Sequence, residues 1–207
     1  MATTTVCLFD LDGVIRHWDA GRAARAEDAA GLARGSLSAA FEIPEYRAGV
    51  LGHVSFEDWC AATVETLTAT WGSSSATRAV RYWHASRGQL DDRVVEIVRA
   101  LRTQTRVALL SNAHDCLRSD LRVLGLDGAF DEVICSAEVQ LAKPNPAIYF
   151  HAAATLGKDP SDCFFTDDLP ENVAGAREAG MDAQLFTGVS GLVEALAARD
   201  FDVPVQE

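Results

Sequence analysis

Two aspartates near the start of the chain have a spacing that could do chemistry. Asp10 and Asp12 follow a short apolar run, residues 6–9, which is the right length for a buried strand of a parallel sheet. On an extended backbone, residues two apart point to the same side, so the two carboxylates should lie together where the strand ends. Gly13 then permits a sharp turn. Open α/β sheets bind ligands at this end of their strands, although Asp and Gly are also common simply as turn residues.

Polar residues that could join this pair follow two other apolar runs and one connection between a strand and a helix. The carboxyl ends of parallel strands lie at one edge of a sheet, so these side chains should converge. Taken singly, Ser111 could be a helix N-cap and Lys143 a surface lysine. Asp167 and Asp168 could simply favour the N-terminus of the following helix. Those separate interpretations do not explain the convergence. The converging residues are Asp10, Asp12, Ser111, Asn112, Lys143, Asp167 and Asp168.

Four carboxylates in one crevice require a cation, because like charges raise one another's pKa and repel. Carboxylates, carbonyls and water are the ligands that Mg²⁺ prefers, and the sequence has no cluster of His and Cys of the kind that zinc prefers. Lys143 would supply a second, fixed positive charge. The Ser111 hydroxyl and the free N–H groups of the helix that follows it favour a phosphoryl group as ligand.

The pattern from residue 90 onward predicts the sheet that would position these residues. Apolar runs alternate with helical segments of about ten residues, which indicates βαβ units and a parallel sheet of the doubly wound, Rossmann-like α/β class. Strands are predicted at 6–9, 106–110, 132–135, 162–166 and 183–186. Helices are predicted at 91–102, 114–124, 146–156, 170–179 and 191–199.

Residues 16–88 differ in character and predict an inserted helical unit. This segment is rich in Ala, Arg and Glu and has helical periodicity, and its predicted helices contain three of the four tryptophans. Helices are predicted at 20–33, 36–46, 55–71 and 76–86, the third beginning at a capping-box-like Ser55 to Asp58. The sequence therefore predicts an α/β core, 1–15 and 89–207, with a helical cap, 16–88, that packs around its own aromatic side chains.

Composition narrows the range of partners. The chain of 207 residues has a net charge of −12, which argues against nucleic acid and anionic membranes as partners because both need basic patches. Five scattered cysteines without a CxxC pair indicate a reduced, cytoplasmic protein. The N-terminus has no basic n-region, and no run approaches the length of a membrane span. Nothing in the sequence predicts the oligomeric state.

The order of these motifs carries a family resemblance. A DxDG motif, a Ser-Asn pair after a strand, a Lys-Pro pair, and a strand that ends in Asp-Asp with Asn172 four residues on resemble the haloacid dehalogenase superfamily. The resemblance covers the first strand and residues 90–190. The segments KPNPAIYFHAAATLG and FFTDDLPENVAGAREAGM look most like its phosphatase branch, which includes bacterial sugar phosphatases and the N-terminal phosphatase domain of soluble epoxide hydrolase.

The resemblance implies roles for the catalytic residues. Asp10 would be the nucleophile that forms an aspartyl-phosphate. Asp12 would protonate the leaving oxygen and then activate water. Lys143 would orient Asp10 and offset charge on the transferring group.

The resemblance also implies binding roles. Ser111 would donate a hydrogen bond to the phosphoryl group, with Asn112 beside it, and Asp168 would ligate the metal together with Asp10 and the backbone carbonyl of Asp12. Asp167 would reach the metal directly or through water. The predicted metal-binding residues are thus Asp10, Asp12, Asp167 and Asp168.

Three residues of the predicted cap are candidates for contacts with the substrate. His17 and Trp18 follow the first motif, and His53 lies in a loop between two cap helices. Trp18 could instead pack in the hinge and His17 could be solvated, since amphipathic aromatic side chains suit either place.

The function predicted by these features is that of a Mg²⁺-dependent phosphatase for a small phosphorylated metabolite, such as a sugar phosphate. A phosphomutase would share all of the motifs. A hydrolytic dehalogenase is disfavoured, because dehalogenases of this family need no metal and lack the second aspartate of DxD. A non-catalytic binding module is disfavoured by the intact Asp10, Asp12, Lys143 and Asp168.

Overall fold

A five-stranded parallel sheet forms the centre of the computed structural model, which describes residues 5–204. Its strand order is β5-β4-β1-β6-β7, and β2 and β3 form a separate two-stranded antiparallel ribbon. This arrangement confirms the predicted α/β class. The strands are β1 Val6–Phe9, β2 Arg16–His17, β3 Gln89–Leu90, β4 Arg106–Ser111, β5 Glu132–Cys135, β6 Cys163–Asp167 and β7 Asp182–Leu185.

Strand β1 lies at the middle of the sheet because all four of its side chains are apolar and buried. Alternate residues contact opposite apolar clusters: Cys7 and Phe9 lie in one, Val6 and Leu8 in the other. The strand pairs in parallel with β4, where Phe9 is opposite Leu109, and with β6, where Phe9 is opposite Thr166. The carboxyl ends of these three strands therefore meet at one edge.

Helices cover both faces of the sheet and form a separate group before β3. In the described residues no helix is both long and apolar enough to cross a membrane. Two short 3-10 helices cover Ser36–Phe41 and Pro160–Asp162. The α-helices are α1 Arg22–Ala30, α2 Pro44–Val50, α3 Phe56–Trp71, α4 Ser73–Trp83, α5 Asp92–Leu101, α6 Leu117–Val123, α7 Ser136–Val139, α8 Pro146–Thr155, α9 Pro170–Glu178 and α10 Val189–Ala197.

Helices α1 to α4 pack around an apolar cluster of their own. Trp59 and Trp83 are buried in it, and Trp71 packs against it partly buried. The Trp59 indole also donates a hydrogen bond of 2.8 Å to the Ala40 carbonyl, which fixes the ring in place. This cluster supports the division into core and cap, whose boundaries at residues 16 and 88 stay a prediction.

The cap differs from the sequence prediction in detail. The helix predicted at 36–46 is two elements, because Pro44 begins α2 instead of ending its predecessor; proline lacks an N–H and suits a first helical turn. The predicted cap at Ser55 is present, since its hydroxyl accepts a 3.0 Å hydrogen bond from the Asp58 N–H. The helix predicted at 76–86 runs from Ser73 to Trp83 and thus begins directly after Gly72.

Two further elements have no counterpart in the prediction. The ribbon of β2 and β3 joins the two chain segments that enter and leave the cap, with Arg16 opposite Leu90. Helix α7 is a single turn after β5. Both are too short for periodicity to reveal. The helix predicted from residue 114 begins only at Leu117, so the residues after β4 form a loop at the sheet edge.

Candidate active site

The carboxylate of Asp10 is fixed at the end of β1. Its Oδ1 accepts a 2.7 Å hydrogen bond from the Leu11 N–H and lies 2.8 Å from the Lys143 Nζ. Asp10 is only 6% exposed. Burial raises the pKa of Asp10, and the nearby Lys143 ammonium opposes that shift. A carboxylate held by two donors on one oxygen is restricted in rotation, which is the condition for a directed nucleophile.

Lys143 contacts a second carboxylate, so it links two strands of the sheet. Its Nζ lies 2.6 Å from Oδ2 of Asp167 at the end of β6. Burial lowers the pKa of Lys143, but the Asp10 and Asp167 carboxylates outweigh it and the net shift is upward. The side chain of Asn112 forms two hydrogen bonds with the Lys143 backbone. It accepts one from the Lys143 N–H at 2.8 Å and donates one to the Lys143 carbonyl at 2.9 Å.

This use of Asn112 bears on its predicted role. Asn112 lines a cavity at the site, but both the oxygen and the nitrogen of its carboxamide are hydrogen-bonded to the backbone of Lys143. The geometry therefore gives it a positioning function, whereas a contact with phosphate stays a prediction. The sequence could not reveal this pairing, because it joins loops that are far apart along the chain.

Asp167 is buried and its oxygens are already engaged. Asn172 Nδ2 donates to both oxygens at 3.0 Å, and the Leu169 N–H donates to Oδ1 at 2.9 Å. The Asn172 backbone is in turn fixed by Tyr149, whose hydroxyl donates to the Asn172 carbonyl at 2.6 Å. With Lys143 as a further partner, Asp167 is placed more as an orienting group than as a freely available ligand.

Asp168 lies against Gly13, which explains the glycine of the first motif. A β-carbon at position 13 would come within 2.0 Å of Asp168 Oδ2, and Gly13 has a φ of +84°, which side-chain-bearing residues rarely adopt. Burial raises the pKa of Asp168, and the neighbouring Asp167 raises it further. The absent side chain at position 13 thus brings the Asp168 carboxylate up to the backbone that follows Asp12.

The acidic groups suit a magnesium ion. Asp10, Asp167 and Asp168 each offer a carboxylate oxygen, and these oxygens lie within 4.8 Å of one another. The Lys143 ammonium contacts two of these carboxylates, so negative charge exceeds positive charge in this group. A donor set made of carboxylates alone is hard, and it matches the preference of Mg²⁺ for oxygen ligands.

Asp12 is paired with an arginine that sequence reasoning missed. Arg16 binds it through two hydrogen bonds, Nε to Oδ1 at 2.7 Å and Nη2 to Oδ2 at 2.9 Å. The same guanidinium contacts Asp120 Oδ2 at 3.1 Å. The spacing of four residues between Asp12 and Arg16 carries a signal only in a helix, whereas here a tight turn and the β2 ribbon bring the two together.

A cavity of about 510 Å³ opens over these groups, and we call it the reaction cavity. Most of the predicted site residues line it, including His17 and Trp18 from the segment that leads into the cap. Tyr46 of α2 lines it as well and was not predicted. The predicted residues in the lining are Asp10, Asp12, His17, Trp18, Ser111, Asn112, Lys143 and Asp168.

His53 is the predicted contact that the structure does not bring to the site. It is exposed and does not line the reaction cavity. The preceding Gly52 is pressed against the core, where a β-carbon would come within 2.0 Å of the Ala137 carbonyl oxygen. The His53 N–H closes the end of α2 by donating to the Ala48 carbonyl at 2.8 Å. The structure thus places His53 outside the reaction cavity, and its contact with the substrate stays an untested prediction.

A comparison with models of protein families gives a match over most of the chain. A family model described as hydrolase, haloacid dehalogenase-like hydrolase, matches residues 4–180. The chain belongs to this family. The match includes all of the motifs on which the resemblance in the sequence was based.

Among similar proteins, several carry phosphatase names. The chain is 31% identical over 192 residues to phosphatase MT3486 of Mycobacterium tuberculosis, covering 86% of this chain and 85% of that protein. It is 29% identical over 140 residues to mouse N-acylneuraminate-9-phosphatase, covering 65% of this chain and 56% of the mouse enzyme. The match thus spans little more than half the length of that relative. These similarities agree with the family match, and the reaction that this chain catalyses stays a proposal.

Solved structures share the fold. A predicted HAD-like family hydrolase from Porphyromonas gingivalis superposes with a TM-score of 0.72 at 23% identity, covering 94% of this chain and 98% of that one. The HAD family enzyme bt-2542 of Bacteroides thetaiotaomicron, in complex with magnesium and inorganic phosphate, gives a TM-score of 0.68 at 22% identity, covering 87% and 93%. At these identities the comparison establishes the fold.

The position of Lys143 predicts a large effect on stability. Lys143→Met leaves Asp10 and Asp167 buried without their cation, so the free energy of unfolding should fall by about 3–5 kcal/mol. Urea denaturation would measure the loss, with Lys158→Met, a lysine outside the site, as the matched control. Equal losses in the two variants would contradict the pairing described here.

Proposed function

We propose that this protein is a magnesium-dependent phosphatase that hydrolyses small phosphomonoesters through an aspartyl-phosphate on Asp10. The observation that carries the proposal is the fixed Asp10 carboxylate, held by Lys143 and the Leu11 N–H, at an edge where further carboxylates gather. The phosphatase names of the relatives support the same reaction class.

In the first step, the Asp10 carboxylate attacks phosphorus and the bond to the ester oxygen breaks. Asp12 gives its proton to the leaving oxygen, which departs as an alcohol. Lys143 lies close enough to Asp10 to offset charge on the transferring phosphoryl group as well as to orient the nucleophile. The Ser111 hydroxyl, buried at the end of β4, donates a hydrogen bond to a phosphoryl oxygen.

In the second step, water attacks phosphorus and the bond between phosphorus and Asp10 breaks. Asp12 takes a proton from that water, which returns it to its starting state, and inorganic phosphate leaves. Arg16 holds the Asp12 carboxylate through both oxygens, so Arg16 acts as a positioning residue for this group. Its release from Asp12 would accompany proton transfer to the carboxylate.

Asp10, Asp168 and the backbone carbonyl of Asp12 would hold the magnesium ion, with Asp167 reaching it through water. The ion, when bound, neutralises charge on the phosphoryl oxygens and on the carboxylates that surround it. Asp167 has a second task, since its contacts with Lys143 and Asn172 fix the position of the lysine ammonium.

The substrate class is a small phosphorylated metabolite, such as a sugar phosphate. The reaction cavity lies between the sheet edge and residues of the predicted cap, which gives the cap side chains access to a leaving group. The names of the relatives refer to acylneuraminate, flavin mononucleotide and glyceraldehyde phosphates. These names support phosphomonoesters as the substrate class and do not favour a single substrate. The five free cysteines support a reducing compartment, the cytoplasm, for this chemistry.

The reaction type is tested by offering matched substrates that share one carbon skeleton. Phosphoglycolate and chloroacetate differ in the atom that Asp10 would attack: phosphorus, with loss of the glycolate oxygen, in the first, and carbon, with loss of chloride, in the second. A third substrate, 4-nitrophenyl phosphate, adds an activated ester. We expect phosphate release from the esters in the presence of Mg²⁺, without chloride release from chloroacetate. Chloride release without phosphate release would contradict the proposal and favour a dehalogenase. Turnover that requires an added sugar bisphosphate would indicate a phosphomutase.

A further inference from the structure

A second cavity adjoins the reaction cavity, and we call it the cap cavity. Its volume is about 260 Å³, and Asp12, Trp18, Tyr46 and Asn112 line both cavities. The remaining wall combines aromatic, aliphatic and charged side chains. Its aromatic residues include Phe41, Phe56, Trp59 and Trp83. Because the two cavities meet at Asp12, the predicted proton donor to the leaving group, a leaving group of more than a few atoms would extend into the cap cavity.

The charged groups in the cap cavity do not balance. Three arginines and two aspartates line it. Arg16 lies between Asp12 and Asp120, and the Nε of Arg87 lies 3.0 Å from Asp120 Oδ1. These contacts occupy both carboxylates with two of the arginines. The third, Arg22, is left over.

The two histidines in the wall do not change this balance at neutral pH. Burial, together with the nearby Arg22 and Arg87 guanidinium groups, lowers the pKa of His84 to about 4. Burial also lowers the pKa of His114, which is stacked on Trp59 with 4.7 Å between ring centroids. Both rings are therefore uncharged at pH 7, and the cavity keeps an excess positive charge inside a chain of net charge −12.

Arg22 is held in place by aromatic rings instead of by acids. Its guanidinium carbon lies 3.8 Å from the centre of the Trp18 ring and 5.2 Å from that of Trp83. Within residues 5–204 the guanidinium makes neither a salt bridge nor a hydrogen bond, and only the backbone N–H of Arg22 is engaged, donating to the Asp19 carbonyl at 3.0 Å. It is half-buried on α1, and arginine keeps its charge in such surroundings. The donors of a rigid, planar guanidinium therefore remain available to a ligand.

We propose that Arg22 binds a carboxylate on the leaving group, so that the preferred substrates are phosphate monoesters of hydroxy acids. This inference rests on the proposed phosphatase function and names the substrate class for the same site. A guanidinium presents paired N–H donors that match the two oxygens of a carboxylate. The single charge of the Arg22 guanidinium matches that of one carboxylate, whereas a second phosphoryl group would carry about twice that charge. The aromatic side chains of the wall would contact the carbon skeleton between the two anionic groups.

Three pairs of probes of different length test this inference. Each pair differs only in a carboxylate: 3-phosphoglycerate and glycerol 3-phosphate, 6-phosphogluconate and glucitol 6-phosphate, and 4-carboxyphenyl phosphate and phenyl phosphate. We expect kcat/KM to favour the carboxylate in at least one pair by about tenfold or more, the range of a charge-assisted hydrogen bond. The ratio within that pair should fall as ionic strength rises.

Variants then assign the preference to Arg22. Arg22→Gln should bring the ratio within the pair close to one, and Arg22→Lys should keep part of it. Arg25→Gln is the matched control, because Arg25 lies on the same helix, is exposed and pairs with Asp19 at 3.1 Å. Arg25→Gln should keep the wild-type ratio.

The outcomes separate this inference from the proposed function. If the esters without a carboxylate are hydrolysed but no pair favours the carboxylate, the role of Arg22 is refuted and the phosphatase function stands. A preference that survives Arg22→Gln, or that Arg25→Gln also removes, equally refutes the role of Arg22. If none of the six esters is hydrolysed in the presence of Mg²⁺, the proposed function fails together with this inference.

Discussion

Asp10→Asn should lower kcat on 4-nitrophenyl phosphate by roughly a thousandfold or more, because an amide cannot replace a carboxylate as nucleophile. The contacts of Asp10 allow this variant to separate an effect on the reaction from an effect on the fold. Its carboxylate contacts Lys143 and the Leu11 N–H, and an asparagine of the same shape can accept both hydrogen bonds through its side-chain oxygen. The fold should therefore be retained while the reaction is lost.

Two controls make this result decisive. Asp127→Asn, at an exposed position outside the site, should keep wild-type kcat and shows that purification and handling do not cause the loss. The KM of any residual activity in Asp10→Asn should be compared with the KM of the wild type, because a contaminating phosphatase would have a different KM. A purified Asp10→Asn protein with wild-type kcat and KM would refute the assignment of the nucleophile.

Removal of divalent metal should abolish phosphatase activity, and Mg²⁺ should restore it. The reason is the crowding of Asp10, Asp167 and Asp168, whose oxygens lie within 4.8 Å of one another with one lysine to offset them. Ca²⁺ should inhibit, because it is larger and takes more ligands in a less regular arrangement. Activity is measured after exhaustive treatment with EDTA and again after titration with each cation.

A stability measurement tests the same site without relying on catalysis. Mg²⁺ should raise the melting temperature of the wild type, since a ligand of the folded state alone stabilises it. Asp168→Asn should weaken that shift, whereas Asp127→Asn should preserve it. Full activity in excess EDTA, or an equal magnesium-induced shift in Asp168→Asn, would contradict a metal site at this edge of the sheet.

The sequence was informative where local pattern and sheet geometry act together. A four-residue apolar run followed by Asp10 and Asp12 predicted a buried strand of a parallel sheet, and β1 is that strand, at the middle of the sheet. The convergence of Lys143 with Asp10 and Asp167 could be expected because parallel strands end at one edge. Each of these inferences needed only residue types, spacing and the direction of the strands.

Contacts that depend on a specific turn or on the packing of helices could not be predicted in the same way. The pairing of Asp12 with Arg16 depends on a turn and a two-residue ribbon, and the cap cavity depends on how α1 to α4 pack. His53 was chosen as a cap contact from its loop position alone, yet Gly52 packs that loop against Ala137, away from the cavity. Nothing in the residue pattern singles out Arg22, because its contacts with Trp18 and Trp83 depend on the same packing.

The most direct test of the proposed mechanism is to trap the phosphorylated enzyme. The Asp12→Asn protein should be mixed with Mg²⁺ and acetyl phosphate that is labelled in its phosphoryl group, and the mixture should then be quenched in acid. The leaving group of acetyl phosphate needs little protonation, so the first step should proceed, while the loss of the base that activates water should slow the second. We predict that label accumulates on the peptide that contains Asp10, and that Asp10→Asn shows none. Release of phosphate by the wild type without label on Asp10 in the Asp12→Asn protein, or label on another residue, would contradict the mechanism.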